Sequence, residues 1–103
     1  MKIPLQAVGG TVSAAGNNAI VTPAAGKKVR VHYFAYNPET AGTFFYRFGT
    51  GGASHLRAKV PAESYISRAF EASYRLDGAV DESLFLNLDA AVNVNYSVYY
   101  TEV

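Results

Sequence analysis

The sequence predicts an all-β protein, an antiparallel β-sandwich or jelly roll of about eight strands. Three observations predict it: apolar and polar residues alternate in most segments, turn-forming residues separate these segments, and none carries the apolar stripe of a helix. The alternation is longest in residues 84–103, which read LFLNLDAAVNVNYSVYYTEV. Because successive side chains of a strand point to opposite faces, this stretch predicts two strands joined by a short turn. Its core predictions are Leu84, Leu86, Leu88, Val94 and Val98.

The predicted strands follow one another along the whole chain, at residues 3–8, 18–22, 28–36, 43–48, 55–60, 65–74, 84–88 and 92–101. The breaks coincide with residues that supply a positive or a fixed φ. In chain order, these are Gly9-Gly10, Gly16-Asn17-Asn18, Pro23 with Gly26, Asn37-Pro38, the glycines of residues 49–52, Pro61 and Asp77-Gly78. A chain of 103 residues buries about two-thirds of its unfolded surface, enough for one core, so we expect a single domain over residues 1–103.

Composition excludes several classes of protein. Cysteine is absent, which excludes a disulfide framework and a thiolate metal site. The first residues hold no apolar run of the length of a secretory signal, and no segment reaches the roughly eighteen apolar residues of a membrane helix. We therefore expect a soluble protein without a targeting segment, a membrane contact or a cofactor.

The charges are divided unevenly along the chain, although the net charge is only +1. Residues 1–60 hold seven Lys or Arg and one acid, whereas residues 61–103 hold two Arg and seven acids. In a β-sandwich, early and late strands interleave. We therefore expect the two blocks to neutralise each other within one subunit, or to pair across a head-to-tail contact between subunits.

The fourteen Tyr and Phe residues are too many for one buried face. On the third predicted strand, alternation places Val29, Val31, Tyr33 and Ala35 on the core side. Several strands then carry an aromatic ring on the outer face, mixed with Arg or Asn, a combination enriched in protein interfaces. The predicted interface residues are Phe34, Tyr36, Phe45, Arg47, Phe85 and Tyr99.

No pattern of catalytic or metal-binding residues emerges. His32 and His55 have no Cys or carboxylate nearby in the sequence, and a zinc site needs three or four ligands. The glycines of residues 49–52 lack the Lys-Ser/Thr pair of a P-loop. The acidic residues 77–82 lack the ligand spacing of an EF-hand, so an exposed turn is favoured over a weak cation site. The sequence thus predicts no enzyme.

Two binding functions remain open as alternatives. An aromatic and basic platform for nucleic acid would draw on Arg30, Arg47, Arg57, Phe34, Phe45 and Tyr46. Nucleic-acid-binding domains are usually clearly basic, whereas this chain is nearly neutral, so we expect no nucleic-acid partner. A glycan- or receptor-binding sandwich is the other alternative, because Asn and Tyr commonly line sugar sites.

The order of features resembles the small all-β virion proteins of tailed bacteriophages and prophages. A Gly-Asn loop at residues 16–18 precedes a short strand, and TPAAGKKVRV follows at residues 22–31. An aromatic segment with an Arg comes next, FFYRF at residues 44–48. The chain closes with LFLNLDAAV at residues 84–92 and YTEV at residues 100–103. Residues 55–75 match this pattern less clearly.

The resemblance implies a non-enzymatic head-decoration or accessory capsid protein. Such proteins typically form trimers that bind the lattice of the major capsid protein at local three-fold positions. It implies a place on the capsid surface after synthesis in the bacterial cytoplasm, with residues 1–8 as an arm that reaches a neighbour. A tail or connector accessory protein is the alternative within the same family.

Overall fold

Strands from the start of the chain pair with strands from its end, as if one long antiparallel hairpin were folded over on itself. The computed structural model describes residues 5–71 and 73–103, and within them nine strands and no helix form. The strands are β1 (Gln6–Val12), β2 (Gly16–Val21), β3 (Val29–Pro38), β4 (Gly42–Phe48), β5 (His55–Val60), β6 (Ile66–Ala69), β7 (Leu76–Asp77), β8 (Leu84–Leu88) and β9 (Val94–Glu102). The first strand pairs with the last, β2 with β8, β3 with β6 and β4 with β5, all antiparallel. This is the pairing of a jelly roll.

Two sheets result, and they pack face to face. Sheet A has the order β1-β9-β3-β6, with β7 beside β3, and sheet B has the order β2-β8-β4-β5. The predicted all-β sandwich is confirmed. The closing strands β8 and β9 lie in opposite sheets, so the segment between them crosses the sandwich edge and does not form a hairpin. No helix in the described part of the chain is long and apolar enough to cross a membrane.

The first strand differs from its prediction. Gly9 and Gly10, predicted as a turn, lie inside β1 and face Ser97 and Tyr96 of β9. A Cβ at Gly10 would lie only 3.1 Å from the Tyr96 hydroxyl oxygen. These glycines therefore allow close packing within the sheet rather than a chain reversal. Of the predicted arm, residues 6–8 pair with β9, and residues 1–4 lie outside the described residues.

The strand observed in the predicted range 65–74 is shorter than predicted, and a second short strand that was not predicted follows it. Only Ile66–Ala69 forms β6, and the two-residue β7 follows. Both strands pair with β3, at its second half and its first half respectively. The β7 strand is too short to show an alternation in sequence.

The core lies between the sheets and is strongly aromatic. Leu84, Leu86, Leu88, Val94 and Val98 are all at most 1% exposed, which confirms the core predictions for the end of the chain. Around them lie four large rings from the facing strands β3 and β4, namely Phe34, Tyr36, Phe44 and Tyr46. The Phe34 and Tyr46 rings stack, with centroids 4.6 Å apart and planes 9° from parallel.

Two interface predictions are wrong, because β3 contains a β-bulge. Val31 faces Tyr100 and Tyr33 faces Tyr99, so His32 is an extra residue on this side of the ladder. Beyond such a bulge, the alternation of side chains changes phase. Phe34 and Tyr36 consequently point into the core, where they are 0% and 1% exposed, and Tyr33 lies on the outer face.

Two tyrosine hydroxyls lie between the sheets, Tyr36 because of the phase change in β3 and Tyr46 by the regular alternation of β4, and each bonds to the opposite sheet. The Tyr36 hydroxyl of sheet A donates to the carbonyl oxygen of Leu56, 2.8 Å away, at the edge strand of sheet B. The Tyr46 hydroxyl of sheet B donates to the carbonyl oxygen of Ala35 in sheet A, at 2.5 Å. Burial raises the pKa of Tyr36 to about 12, and it raises the pKa of Tyr46 still further.

Truncation of Phe34 is expected to be far more damaging than truncation of Tyr99, although alternation alone places both on outer faces. We expect F34A to lower the free energy of unfolding by about 3–5 kcal/mol, the usual loss for a buried Phe. Y99A, at a ring that is 45% exposed in the single subunit, should change the free energy of unfolding of that subunit by about 1 kcal/mol or less. Urea unfolding measures both. Similar losses in the two variants would contradict the bulge.

Alkaline pH is expected to unfold the protein through Tyr36 and Tyr46. Their pKa values in the folded state are raised, so above about pH 10 the unfolded chain loses these protons while the folded chain keeps them. Stability then falls with rising pH, by up to about 1.4 kcal/mol per pH unit for each tyrosine.

Urea midpoints measured across this pH range test the expectation. Y46F removes one of the two groups and should make the decline less steep, while its loss of the Ala35 hydrogen bond lowers stability at neutral pH. Y99F, which removes a hydroxyl from an exposed ring, is the control for the substitution itself. An equal slope in Y46F and the unsubstituted protein would refute the assignment.

Candidate protein-interaction surfaces

The outer face of sheet B combines cationic and aromatic side chains. We call it the sheet B face and define it by residues that share the outward register of β4, β5 and β8. These are Phe45, Arg47, Arg57, Lys59, Phe85 and Asn87. Arg47 faces Phe85 directly across the β4–β8 ladder, and Phe45 faces Asn87. Three of the interface predictions, Phe45, Arg47 and Phe85, therefore lie together.

Two arginines pack on the Phe45 ring. The guanidinium carbons of Arg47 and Arg57 lie 5.0 Å and 5.9 Å from its centroid, within the range of cation–π attraction. Arg47 also donates from Nη1 to the carbonyl oxygen of Thr50 at 3.2 Å. Its Nε is buried and has no hydrogen-bond partner among the described residues. The ring thus holds both guanidinium groups against the sheet.

The cations of this face make no short ion pair within the described part of the subunit. Among the described residues, the one ion pair joins Arg30 to Asp77, with N–O distances of 2.8 and 2.9 Å. This bond with Arg30 lowers the pKa of Asp77. In the described ranges, no carboxylate lies within 4 Å of the charged groups of Arg47, Arg57 or Lys59. The expected neutralisation of the two charge blocks therefore holds for Arg30 and not for the sheet B face.

The outer face of sheet A carries tyrosines. Tyr33 and Tyr99 are cross-strand partners, with ring centroids 5.4 Å apart. The hydroxyls of Tyr33 and Tyr65 share a hydrogen bond of 2.6 Å, which raises the pKa of Tyr65. Tyr65 is 61% exposed and Tyr99 45%. We call the surface formed by these three tyrosines and their outward-facing neighbours the sheet A face. The neighbours are Gly9, Ala35, Asn37, Ser67, Asn95 and Ser97.

Beside the tyrosines, the residues of the sheet A face are small or uncharged. A cross-strand row of small residues runs over β1, β9, β3 and β6, consisting of Gly9, Ser97, Ala35 and Ser67. On its far side, Asn37 faces Asn95, whose side-chain oxygen accepts a hydrogen bond from the Thr11 hydroxyl at 2.7 Å. A shallow depression of about 70 Å³ lies between the amides and Tyr65. Tyr, Ser, Gly and Asn are also the residues that dominate antibody binding sites.

The structure thus divides the six interface predictions among three places. Phe45, Arg47 and Phe85 lie on the sheet B face, Tyr99 lies on the sheet A face, and Phe34 and Tyr36 are in the core. The nucleic-acid platform considered above does not assemble, because Phe34 and Tyr46 are buried and Arg30 lies on sheet A.

Four surface residues are absent from the six interface predictions, Tyr33, Arg57, Lys59 and Tyr65, of which Arg57 is named only for the nucleic-acid platform. Arg57 and Lys59 are two residues apart on one predicted strand, and this spacing could have placed both on the outer face with Phe45. Tyr33 could not be found in this way, since the bulge at His32 inverts the pattern.

The histidines lie in different sheets and have structural partners. His32 Nε2 lies 3.1 Å from the Thr101 hydroxyl, and the His55 ring packs against the edge of Phe48. Burial lowers the pKa of both imidazoles, with help from nearby arginines. Each favours its neutral form.

The acidic turn uses its carboxylates for hydrogen bonds within the chain. Asp81 accepts from the backbone N–H of Gly26 at 2.6 Å, and Glu82 accepts from that of Ala79 at 3.1 Å. Asp77 pairs with Arg30. Across the described ranges, no three His, Asp or Glu side chains gather as a metal site would require.

The fold and surfaces define a jelly-roll sandwich with a tyrosine-rich outer face and a cationic-aromatic one. No family model matches the sequence, and no curated protein matches it. A protein of Bacillus endospore appendages, described as disulfide-linked pili, is 17% identical, with coverage of 96% of this chain and 88% of that one and a TM-score of 0.47. For the coat protein of Tobacco streak virus, identity is 14%, coverage 98% and 90%, and the TM-score 0.38. Similarity at this level carries no inference about function.

A double-mutant cycle should detect the packing of Arg47 on Phe45. We expect the R47Q and F45L substitutions to be coupled by about 0.5–1 kcal/mol in the free energy of unfolding, as for a cation–π contact at a surface. Urea unfolding of the two single variants and the double variant measures this. R47Q paired with Y99F, on the opposite face, is the control and should show additivity. Additivity in both pairs would contradict the contact.

Proposed function

We propose that the protein is a non-enzymatic structural protein of a tailed-bacteriophage virion. In this proposal it is a capsid decoration protein that forms trimers and binds the lattice of the major capsid protein. The observation that carries the proposal is that both outer faces of the sandwich present aromatic rings in a setting typical of protein interfaces. The sequence resemblance described above supplies the phage context.

The two faces suit two different contacts. The centre of the sheet A face is uncharged and rich in tyrosine. Permanent burial of such a surface against another subunit therefore has a small desolvation penalty. We assign it to the contact between subunits. The sheet B face carries three cations, whose desolvation is unfavourable unless a partner provides opposite charge, so we assign it to the lattice.

A glycan-binding module is the second candidate, and one observation favours it. The depression on the sheet A face has an exposed tyrosine ring, Tyr65, on one side and the amides of Asn37 and Asn95 on the other. Rings of this kind stack on sugars, and amides bond to hydroxyls. Jelly rolls occur both in viral capsids and in lectins, so the fold alone does not choose between the candidates.

Immunogold electron microscopy should locate the protein on phage heads. We expect antibody against the purified chain to label the heads of particles released by the bacterium that carries the gene, at many positions per head. Label at the tail or the connector would favour the alternative within the virion family. Particles without label, together with saturable glycan binding that Y65A abolishes, would replace the proposal by the second candidate.

Light scattering tests the trimer separately. The expected mass is about three times the 11.1 kDa of one chain. Y65S/Y99S removes two exposed rings from the sheet A face and should shift the mass toward that of the monomer. R57Q, on the opposite face, is the control that should leave it unchanged. A monomer at high concentration would contradict the trimer.

A further inference from the structure

We infer that the sheet B face docks on an acidic protein surface. The inference rests on the proposed function for the identity of that surface, the capsid lattice, but its chemistry belongs to this chain alone. Three cations lie on the two neighbouring strands β4 and β5, and no described carboxylate within 4 Å pairs with any of them. Their charged groups are therefore not engaged in short ion pairs among the described residues and are available to a partner.

Two of these cations are held in place before any partner arrives. Phe45 supports the guanidinium groups of Arg47 and Arg57, and Arg47 is further tied to the carbonyl oxygen of Thr50. Less side-chain freedom is then lost on binding. A guanidinium group presents a planar fork of N–H donors that matches a carboxylate, so the supported arginines fit Asp or Glu side chains.

The same packing disfavours a nucleic acid as the occupant. Single-stranded nucleic acids bind where bases stack on open aromatic rings, and the Phe45 ring is occupied by two guanidinium groups. The net charge of +1 is also low for a nucleic-acid-binding domain. A second copy of the sheet B face is disfavoured as well, because like charges would meet.

Strand addition at this edge of the sandwich is also disfavoured. Arg57 and Lys59 lie on β5, which is the edge strand of sheet B. Charged side chains on an edge strand oppose pairing with another strand. The partner is therefore expected to meet the face through side chains, with a strong dependence on salt.

Binding to immobilised poly-L-glutamate tests the inference with the purified protein. We expect binding at low ionic strength that falls as salt is added. R57Q/K59Q, which changes two exposed side chains, should weaken it about tenfold, and R47Q/R57Q/K59Q should weaken it further. K27Q/K28Q removes the same amount of charge from an exposed loop and is the matched control, which should retain binding within about twofold.

Three results would overturn the inference. The first is no binding of the unsubstituted protein to poly-L-glutamate, and the second is an equal loss in K27Q/K28Q, which would reduce the effect to net charge. The third is tighter binding to an oligo-dT strand of equal charge, which would make nucleic acid the occupant. None of these three results changes the expected immunogold labelling of phage heads. Failure of this inference is therefore distinguishable from failure of the proposed function.

Discussion

The β-bulge at His32 is the constraint on which both the core and the surface depend. One extra residue in β3 reverses the phase of the strand, so Val29 and Val31 point inward before it, and Phe34 and Tyr36 point inward after it. The bulge thereby delivers two large rings to the core. It also moves Tyr33 outward, where it meets Tyr99 and Tyr65. Without it, the tyrosine cluster of the sheet A face and the aromatic stack of the core would both be lost.

One ring that the bulge turns inward, Tyr36, also connects the sheets, together with Tyr46 of the facing strand β4. The two sheets of a jelly roll share few backbone hydrogen bonds. They are held together mainly by apolar contacts between their side chains. Tyr36 and Tyr46 add hydrogen bonds in both directions, each from a hydroxyl in one sheet to a carbonyl oxygen in the other. These bonds are directional, and a hydroxyl left unbonded in the core would be strongly unfavourable. They therefore fix how the sheets are aligned as well as how firmly they adhere.

The fold class and the core residues of the last two strands could be predicted from the sequence, because apolar and polar residues alternate in β8 and β9 without interruption. Leu84, Leu86, Leu88, Val94 and Val98 all face inward as their period of two requires. The same reasoning failed for Phe34 and Tyr36, since residues 33–36 read YFAY, and an unbroken apolar run does not show the phase change that the bulge introduces. It failed for Gly9 and Gly10 because glycine permits both a turn and a close contact, here with Tyr96. On the candidate surfaces, the sheet B residues kept their alternation and were largely predictable, whereas the tyrosine cluster was not.

The topology of the roll decides which charges remain available. Rolling a hairpin pairs early strands with late ones, so Arg30 in the basic block meets Asp77 in the acidic block. The strands β4 and β5 form the closed end of that hairpin and pair with each other, and both belong to the basic block. The other neighbour of β4 is β8, which reads LFLNL and has no acid within the strand. Among the described residues, Arg47, Arg57 and Lys59 have no carboxylate within 4 Å for this reason. A chain with a net charge of only +1 can in this way present a distinctly cationic face.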